Sequence, residues 1–303
     1  MDDPVKLPEG YRSKAASMDD AEAATMLIAA GELDADGMVE VEVEDVRSLW
    51  SRPSFDPARD ALLVVRGDEP AAWAMVDQGR RFDADVHPAH RGLGIGAALL
   101  DWVEERARAA GASRVGQTFT DANTGAIELF RSRGYFPLWE SWILQISLEQ
   151  ELPPPKHPDG ITIRAYKPGA DDRAAYEVIE TAFSEWGDRT PTTFEDWAAA
   201  IPHHGSFVPD VSKVALDGER IVGVVIAFDY TVEGWVQQLA VDRAYRGRGI
   251  GGELMREAFR GFKARGRTTS GVNTDSRTGA LGMYERVGMH LRRTYTRWAK
   301  DLN

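Results

Sequence analysis

From Ile161 onward the apolar positions change period several times, and each change marks an element. "ITIRAYKP" alternates apolar and polar residues as a short strand. "DDRAAYEVIETAF" then spaces its apolar residues every three or four positions, a helix with Asp171 and Asp172 as cap candidates. "TFEDWAAAI" predicts a second short helix capped by Thr192 or Thr193. "SKVALD", "RIVGVVIAFDY" and "WVQQLAV", separated by the turn residues "GE" and "VEG", predict three strands of an antiparallel meander. The glycine-rich stretch "RGRGIGGELM", beginning at Arg246, runs into a helix over about 251–265. A strand "TTSGVNT", a helix over about 278–287 and a last strand "RRTYTRWAKDL" complete the pattern.

The first half repeats this plan. It has "ALLVVRG", "PAAWAMVDQ" and a poorly patterned strand "RRFDADV", then a second glycine stretch, "RGLGIGAALL", from Arg91. A shift of 155 positions aligns Arg91, Gly92, Gly94, Ile95, Gly96, Leu99 and Gly111 with Arg246, Gly247, Gly249, Ile250, Gly251, Leu254 and Gly266. A one-residue slip then aligns "TDANTGAIELFRSRGY" with "TDSRTGALGMYERVGM". Solenoid repeats run ~20 to 50 residues, so a period this long means tandem domains. Between the copies, the prolines of "ELPPPKHPDG" forbid helix and favour a stiff extended linker. The expected organisation is a domain over 1–150, a linker over 151–158 and a second domain over 159–303. The element order βααβββαβαβ predicts an α+β, mixed α/β fold: two tandem domains, each a central, mostly antiparallel mixed sheet flanked by helices.

Composition narrows the chemistry. Among 303 residues there is no cysteine, which removes thiol nucleophiles, disulfides and cysteine metal sites together. Six scattered histidines form no H-E-x-x-H helix, so no metal is expected. A net charge of −12 argues against a nucleic-acid backbone as partner, while leaving room for a local basic groove around one small polyanion. No apolar run approaches the ~20 residues of a membrane span, and "MDDPVKLPEG" lacks the regions of a signal peptide. No membrane association and a cytoplasmic location are the expectations.

A strand, then glycines, then a helix start is an anion-binding device. Free first-turn amides face the ligand, and glycines let a phosphate approach the backbone. A P-loop requires G-x-x-x-x-G-K-[ST], and no lysine follows either stretch. The letters of a Rossmann loop do fit, through Gly247, Gly249 and Gly252 and through Gly92, Gly94 and Ala97. That loop opens a parallel βαβ unit, however, whereas here "DRAYR" intervenes and three antiparallel-looking strands precede. A glycine-rich helix start without a ligand is the bland alternative.

"LAVDRAYRGRGIGGELM" resembles the acyl-coenzyme A motif [R/Q]-x-x-G-x-[G/A] of the GNAT superfamily of N-acetyltransferases. Arg246, Gly249 and Gly251 occupy that motif, as do Arg91, Gly94 and Gly96. The likeness covers nearly the whole chain in two copies. Among tandem GNAT proteins the chain is most similar to the mycothiol synthase-like group.

The resemblance implies an acyltransferase that moves the acetyl group of acetyl-coenzyme A to a small-molecule primary amine by direct attack in a ternary complex, with room for one coenzyme per domain. The pre-loop strand would supply Leu239, Ala240 and Val241 for the oxyanion and the pantetheine. Arg246, Gly247, Arg248, Gly249, Ile250, Gly251, Gly252 and Asn273 would complete the coenzyme site. Val86, Arg91, Gly92, Leu93, Gly94, Ile95, Gly96, Ala97 and Asn123 are the counterparts in the first copy. The family's acid is often a tyrosine in an A-x-x-x-Y spacing, matched by Ala280 and Tyr284; the first copy has Ala126 and Phe130 there and lacks the acid. For the base the candidates are Glu233 and, in preference, a water held by Gln237. Trp186, Asp188, Glu195, Trp197 and Trp235 are the acceptor candidates. The expectation is coenzyme binding without turnover in the first domain and turnover in the second. An acyl-coenzyme A sensor without turnover, or an antibiotic or aminoacyl acceptor, are the alternatives.

Overall fold

The computed structural model describes residues 5–186 and 189–302. In chain order the strands are β1 (Tyr11–Ala15), β2 (Ala61–Arg66), β3 (Glu69–Asp77), β4 (Arg81–Val86), β5 (Arg114–Thr120), β6 (Phe136–Ser147), β7 (Thr162–Ala165), β8 (Lys213–Asp217), β9 (Arg220–Asp229), β10 (Gly234–Val241), β11 (Thr269–Asp275) and β12 (His290–Asp301). The α-helices are α1 (Ala21–Asp36), α2 (Val43–Trp50), α3 (Pro57–Asp60), α4 (Ile95–Ala109), α5 (Thr124–Ser132), α6 (Asp172–Phe183), α7 (Phe194–Ala200), α8 (Ile250–Ala264) and α9 (Leu281–Arg286). These form two units, Met1–Glu140 with Tyr295–Asn303, and Ser141–Thr294.

In the first unit β1 to β4 pair as an antiparallel meander, and β5 joins β4 in parallel. Tyr295–Asp301 of β12 then runs antiparallel along β5. Period-2 alternation sends Leu62 and Val64 to one face, where Leu99 and Val103 of α4 cover them. It sends Leu63 to the other, beneath Leu27 of α1 and Trp50 of α2. The second unit repeats the arrangement: β7, β8, β9 and β10 are antiparallel, β11 is parallel to β10, and Ser141–Ser147 of β6 closes the edge of β11. Val224, Ile226 and Phe228 of β9 pack against Ile179 of α6 and Trp197 of α7, while Val225 and Ala227 meet Leu254, Phe259 and Phe262 of α8. A mixed sheet between helical layers is the fold expected from the pattern.

The structure departs from the sequence reading at three places. First, the units are not the two halves of the chain, because the strand that ends each half completes the other unit's sheet. Second, the Pro-rich stretch lies along α8. The Pro153 carbonyl accepts from Arg260 (2.6 Å), and the Lys156 amide donates to Glu253 (3.1 Å). Third, α9 starts at Leu281 because Gly279 adopts φ +63° and the Thr278 hydroxyl takes the Ala280 amide (3.1 Å). No helix among the described residues is long and apolar enough to cross a membrane.

Candidate active site

The site of the second unit begins with a fault in its sheet. Strand β10 pairs with β11 only over Gly234–Val236, and the β9 register shifts at Gln237, which bulges out. A bulge bends its strand and breaks the ladder. From Gln237 to Val241 the edge of β10 that faces β11 is therefore unpaired, and its backbone groups need partners.

The glycine loop follows at once. Gly247 and Gly249 sit at φ +77° and +83°, a region closed to side chains with a Cβ without strain. Gly249 caps α8 with no side chain to offer. Its carbonyl accepts the Glu253 amide (3.1 Å), and the amides of Ile250, Gly251 and Gly252 precede that first helical bond. Arg246 pins the loop from outside, donating Nε to the Val241 carbonyl (3.0 Å) and both terminal nitrogens to Glu185 (2.7 and 3.0 Å). The first unit is built the same way. Gly92 and Gly94 lie at φ +77° and +92°, Arg91 Nε donates to the Val86 carbonyl (3.2 Å), and the Arg91 guanidinium pairs with Asp34.

A cavity of about 1030 Å³ extends from the loop of the second unit along the open edge of β10 to α9. Leu239, Ala240, Val241, Arg246, Gly247, Gly249, Ile250, Gly251, Gly252 and Asn273 line it, together with Gln237, Tyr284, Trp186 and Trp235. Tyr284 is buried, and that burial pushes its hydroxyl above the usual tyrosine range, so it is protonated at neutral pH. Trp235 donates its indole N–H to Gln237 Oε1 (2.9 Å) and orients that carboxamide.

The geometry has counterparts in known proteins. The model of the "Acetyltransferase (GNAT) family" matches residues 30–135 and again residues 173–289. The chain belongs to the GNAT acetyltransferase family. It is an acyltransferase with the family's domain in two copies. A mycothiol acetyltransferase of Catenulispora acidiphila is 28% identical over 240 residues, covering 75% of this chain and 76% of its own. A GCN5-related N-acetyltransferase structure from Sphaerobacter thermophilus superposes with a TM-score of 0.77 at 33% identity, covering 98% of both chains. A tandem GNAT protein from the clavulanic acid biosynthesis pathway shares the fold, with a TM-score of 0.73 at 15% identity over 97% of this chain and 99% of its own.

Within this GNAT chain several expected site residues stand apart from the cavity of the second unit. Arg248 turns to the Asp159 carbonyl (2.9 Å). Glu233 is 4% exposed, and its two carboxylate oxygens take Gln145 (2.9 Å) and Arg292 (3.0 Å). Trp197 is buried in the core with its indole N–H on Gln238 (3.0 Å), and Glu195 points to solvent on α7. Asp188 lies outside the described residues. Asn273 lines the cavity while its carboxamide bonds Ser141 (3.0 Å).

Three arginines of the cavity wall, Arg256, Arg277 and Arg286, escaped the sequence reading. A helical step of four from Gly252 puts Arg256 on the face of α8 below the loop, a signal that was present. Nothing local marks Arg277 or Arg286.

In the first unit Val86, Leu93, Ile95, Gly96 and Ala97 hold the equivalent places around the start of α4. Asn123 caps α5 through the Ala126 amide (3.1 Å). Phe130, where the other unit has Tyr284, is packed against Phe119 (4.8 Å) and Tyr135 (4.7 Å).

Proposed function

We propose that the chain is an acetyl-coenzyme A-dependent N-acetyltransferase acting on a small-molecule primary amine, with turnover in the second unit. The observation that carries this reading is the single cavity that joins an unpaired β-strand edge, a row of free helix amides and a buried, protonated tyrosine. These residues fit the coenzyme. The amides of Ile250, Gly251 and Gly252, with Arg256 and Arg286 beside them, would hold its phosphates, and the open edge at Leu239–Val241 would pair with its pantetheine arm. When bound, the coenzyme supplies the activated acetyl thioester.

The chain supplies everything else. A backbone amide on Leu239–Val241 holds the developing oxyanion. Tyr284 keeps the proton that the leaving thiolate needs. Gln237, oriented by Trp235, holds the water that takes the amine's proton. Trp186 and Trp235 wall the acceptor end. The relatives named mycothiol acetyltransferase put an amine of that chemistry among the acceptors to try. The first unit, with Phe130 at the acid position, would bind coenzyme through Arg91–Ala97 without turning it over.

The test is thiol release from acetyl-coenzyme A over a panel of primary amines. Tyr284→Phe should lower kcat by roughly 10²–10⁴ while the KM for acetyl-coenzyme A stays within about twofold. Retention of more than half the activity would remove Tyr284 from its role and move turnover elsewhere.

A further inference from the structure

The motif [R/Q]-x-x-G-x-[G/A] admits arginine or glutamine at its first position, and one donor there is enough to hold the loop. Arg246 Nε is that donor, on the Val241 carbonyl (3.0 Å). A glutamine amide would suffice for this bond. The terminal nitrogens of Arg246 reach further, to Glu185, one to each carboxylate oxygen (2.7 and 3.0 Å), in the fork that a guanidinium presents and an amide does not. Those bonds hold the Glu185 carboxyl below the usual carboxylate range, so the pair is ionised at neutral pH.

Glu185 stands just past the end of α6. The helix stops at Phe183, Ser184 caps it, and Glu185 and Trp186 then line the cavity with Phe183. Trp186 stacks on Phe183, their ring centroids 4.7 Å apart and their planes at 19°. The backbone bonds of this turn, Trp186 to the Phe183 carbonyl (3.1 Å) and Arg189 to the Trp186 carbonyl (3.1 Å), shape it without tying it to the loop after β10. Arg277, held by Asp275 (2.7 Å), approaches the Trp186 ring from α9's side, but at 6.0 Å it stands at the outer limit of a cation–π contact. The Arg246 fork is the stronger hold.

The first unit repeats the link without the ring. Arg91 pairs with Asp34 in the last turn of α1 while its Nε holds the Val86 carbonyl (3.2 Å), and the residue after Asp34 is Ala35. An arginine that joins the glycine loop to the first long helix is thus common to both copies. The aromatic residue hung beside it belongs to the second.

We propose that Glu185 is a positioning residue: through Arg246 it ties the Phe183–Trp186 wall to the coenzyme loop, so that the acceptor end is set by the loop that holds the coenzyme's phosphates. The inference rests on the reading of the second unit as the reacting one. The two side chains are 41% and 37% exposed, so loss of the pair is worth a change of a few fold and leaves an active enzyme.

The experiment compares Glu185→Gln, Arg246→Gln and the double variant of the full-length ¹⁵N-labelled chain. The heteronuclear NOE of the Trp186 indole, assigned by its disappearance in Trp186→Phe, should fall in Glu185→Gln. That of the Trp235 indole, held by Gln237 (2.9 Å), should stay within error and report an intact fold. Arg246→Gln keeps a donor for Val241 and should give the same fall, and the double variant no more than either single one. With an amine that the wild type turns over, Glu185→Gln should raise the acceptor KM roughly threefold to fivefold and leave the Kd of coenzyme A within about twofold, a split that general loosening of the fold does not produce. Should Glu185→Gln fail to fold, Arg246→Gln carries the decision. The proposal is overturned if the Trp186 indole keeps its NOE, if the double variant falls further than the single ones, or if the acceptor KM is unchanged. If no amine is turned over while the NOE falls as stated, the reading of the second unit fails and the positioning of Trp186 by Glu185 stands.

Discussion

Half-buried Asp85, which accepts from the Trp73 indole (2.9 Å), and buried Glu233 show how differently two carboxylates act on the molecule. In the folded chain desolvation raises Asp85 to about 7, against ~3.9 for an aspartate in an unfolded chain. Between those values the folded state holds the extra proton, so this group's contribution to stability falls as pH rises through that window and is flat above it. Asparagine keeps the Trp73 bond and cannot ionise. Asp85→Asn should therefore melt above the wild type at pH 8 and level with it near pH 4, read by circular dichroism; an equal difference at both values would sink the argument. Glu233 is fixed by Gln145 and Arg292, so its substitution acts on the fold. Glu233→Gln removes the charge that balances Arg292 and should cost about 3–5 kcal/mol in denaturant unfolding. The kcat of the folded fraction should stay within about twofold, whereas loss of turnover with unchanged Michaelis constants would restore Glu233 as a base. Sequence spacing placed Glu233 near a turn and could not show its partners, which come from residues 88 positions earlier and 59 later.

At the scale of elements, the start of α8 was legible because glycine spacing and helical period are local signals. Gly249 is needed for its φ of +83°, since a Cβ there would meet nothing within 4 Å. Gly249→Ala should therefore cost about 1–2 kcal/mol through backbone conformation alone, and weaken coenzyme A binding by roughly tenfold in calorimetry. Unchanged affinity would mean that the first-turn amides do not hold the ligand. The bulge at Gln237 left no mark in "WVQQLAV", because it is defined by the register against β9 and not by the strand's own residues. The shortened α9 was missed for a related reason: Ala280 and Tyr284 keep their helical spacing whether the first turn forms or not.

At the scale of the whole molecule, the strand that closes β5 of the first unit comes from the far end of the chain. A fragment stopped at residue 150 would leave β5 as an open edge and lose Trp298, which packs into that unit's core. It should fail to unfold cooperatively and should aggregate in size-exclusion chromatography. Cooperative unfolding at the full chain's Tm would show that the first half is sufficient. The sequence by itself determined what short-range chemistry can encode: alternation and helical period, the glycines that only a left-handed turn requires, and the duplication that identified the family. Only the tertiary structure decided which strand closes which sheet, which carboxylates are matched by arginines and which by a neutral indole. Those outcomes depend on contacts between residues tens to hundreds of positions apart, and no local pattern in the chain records them.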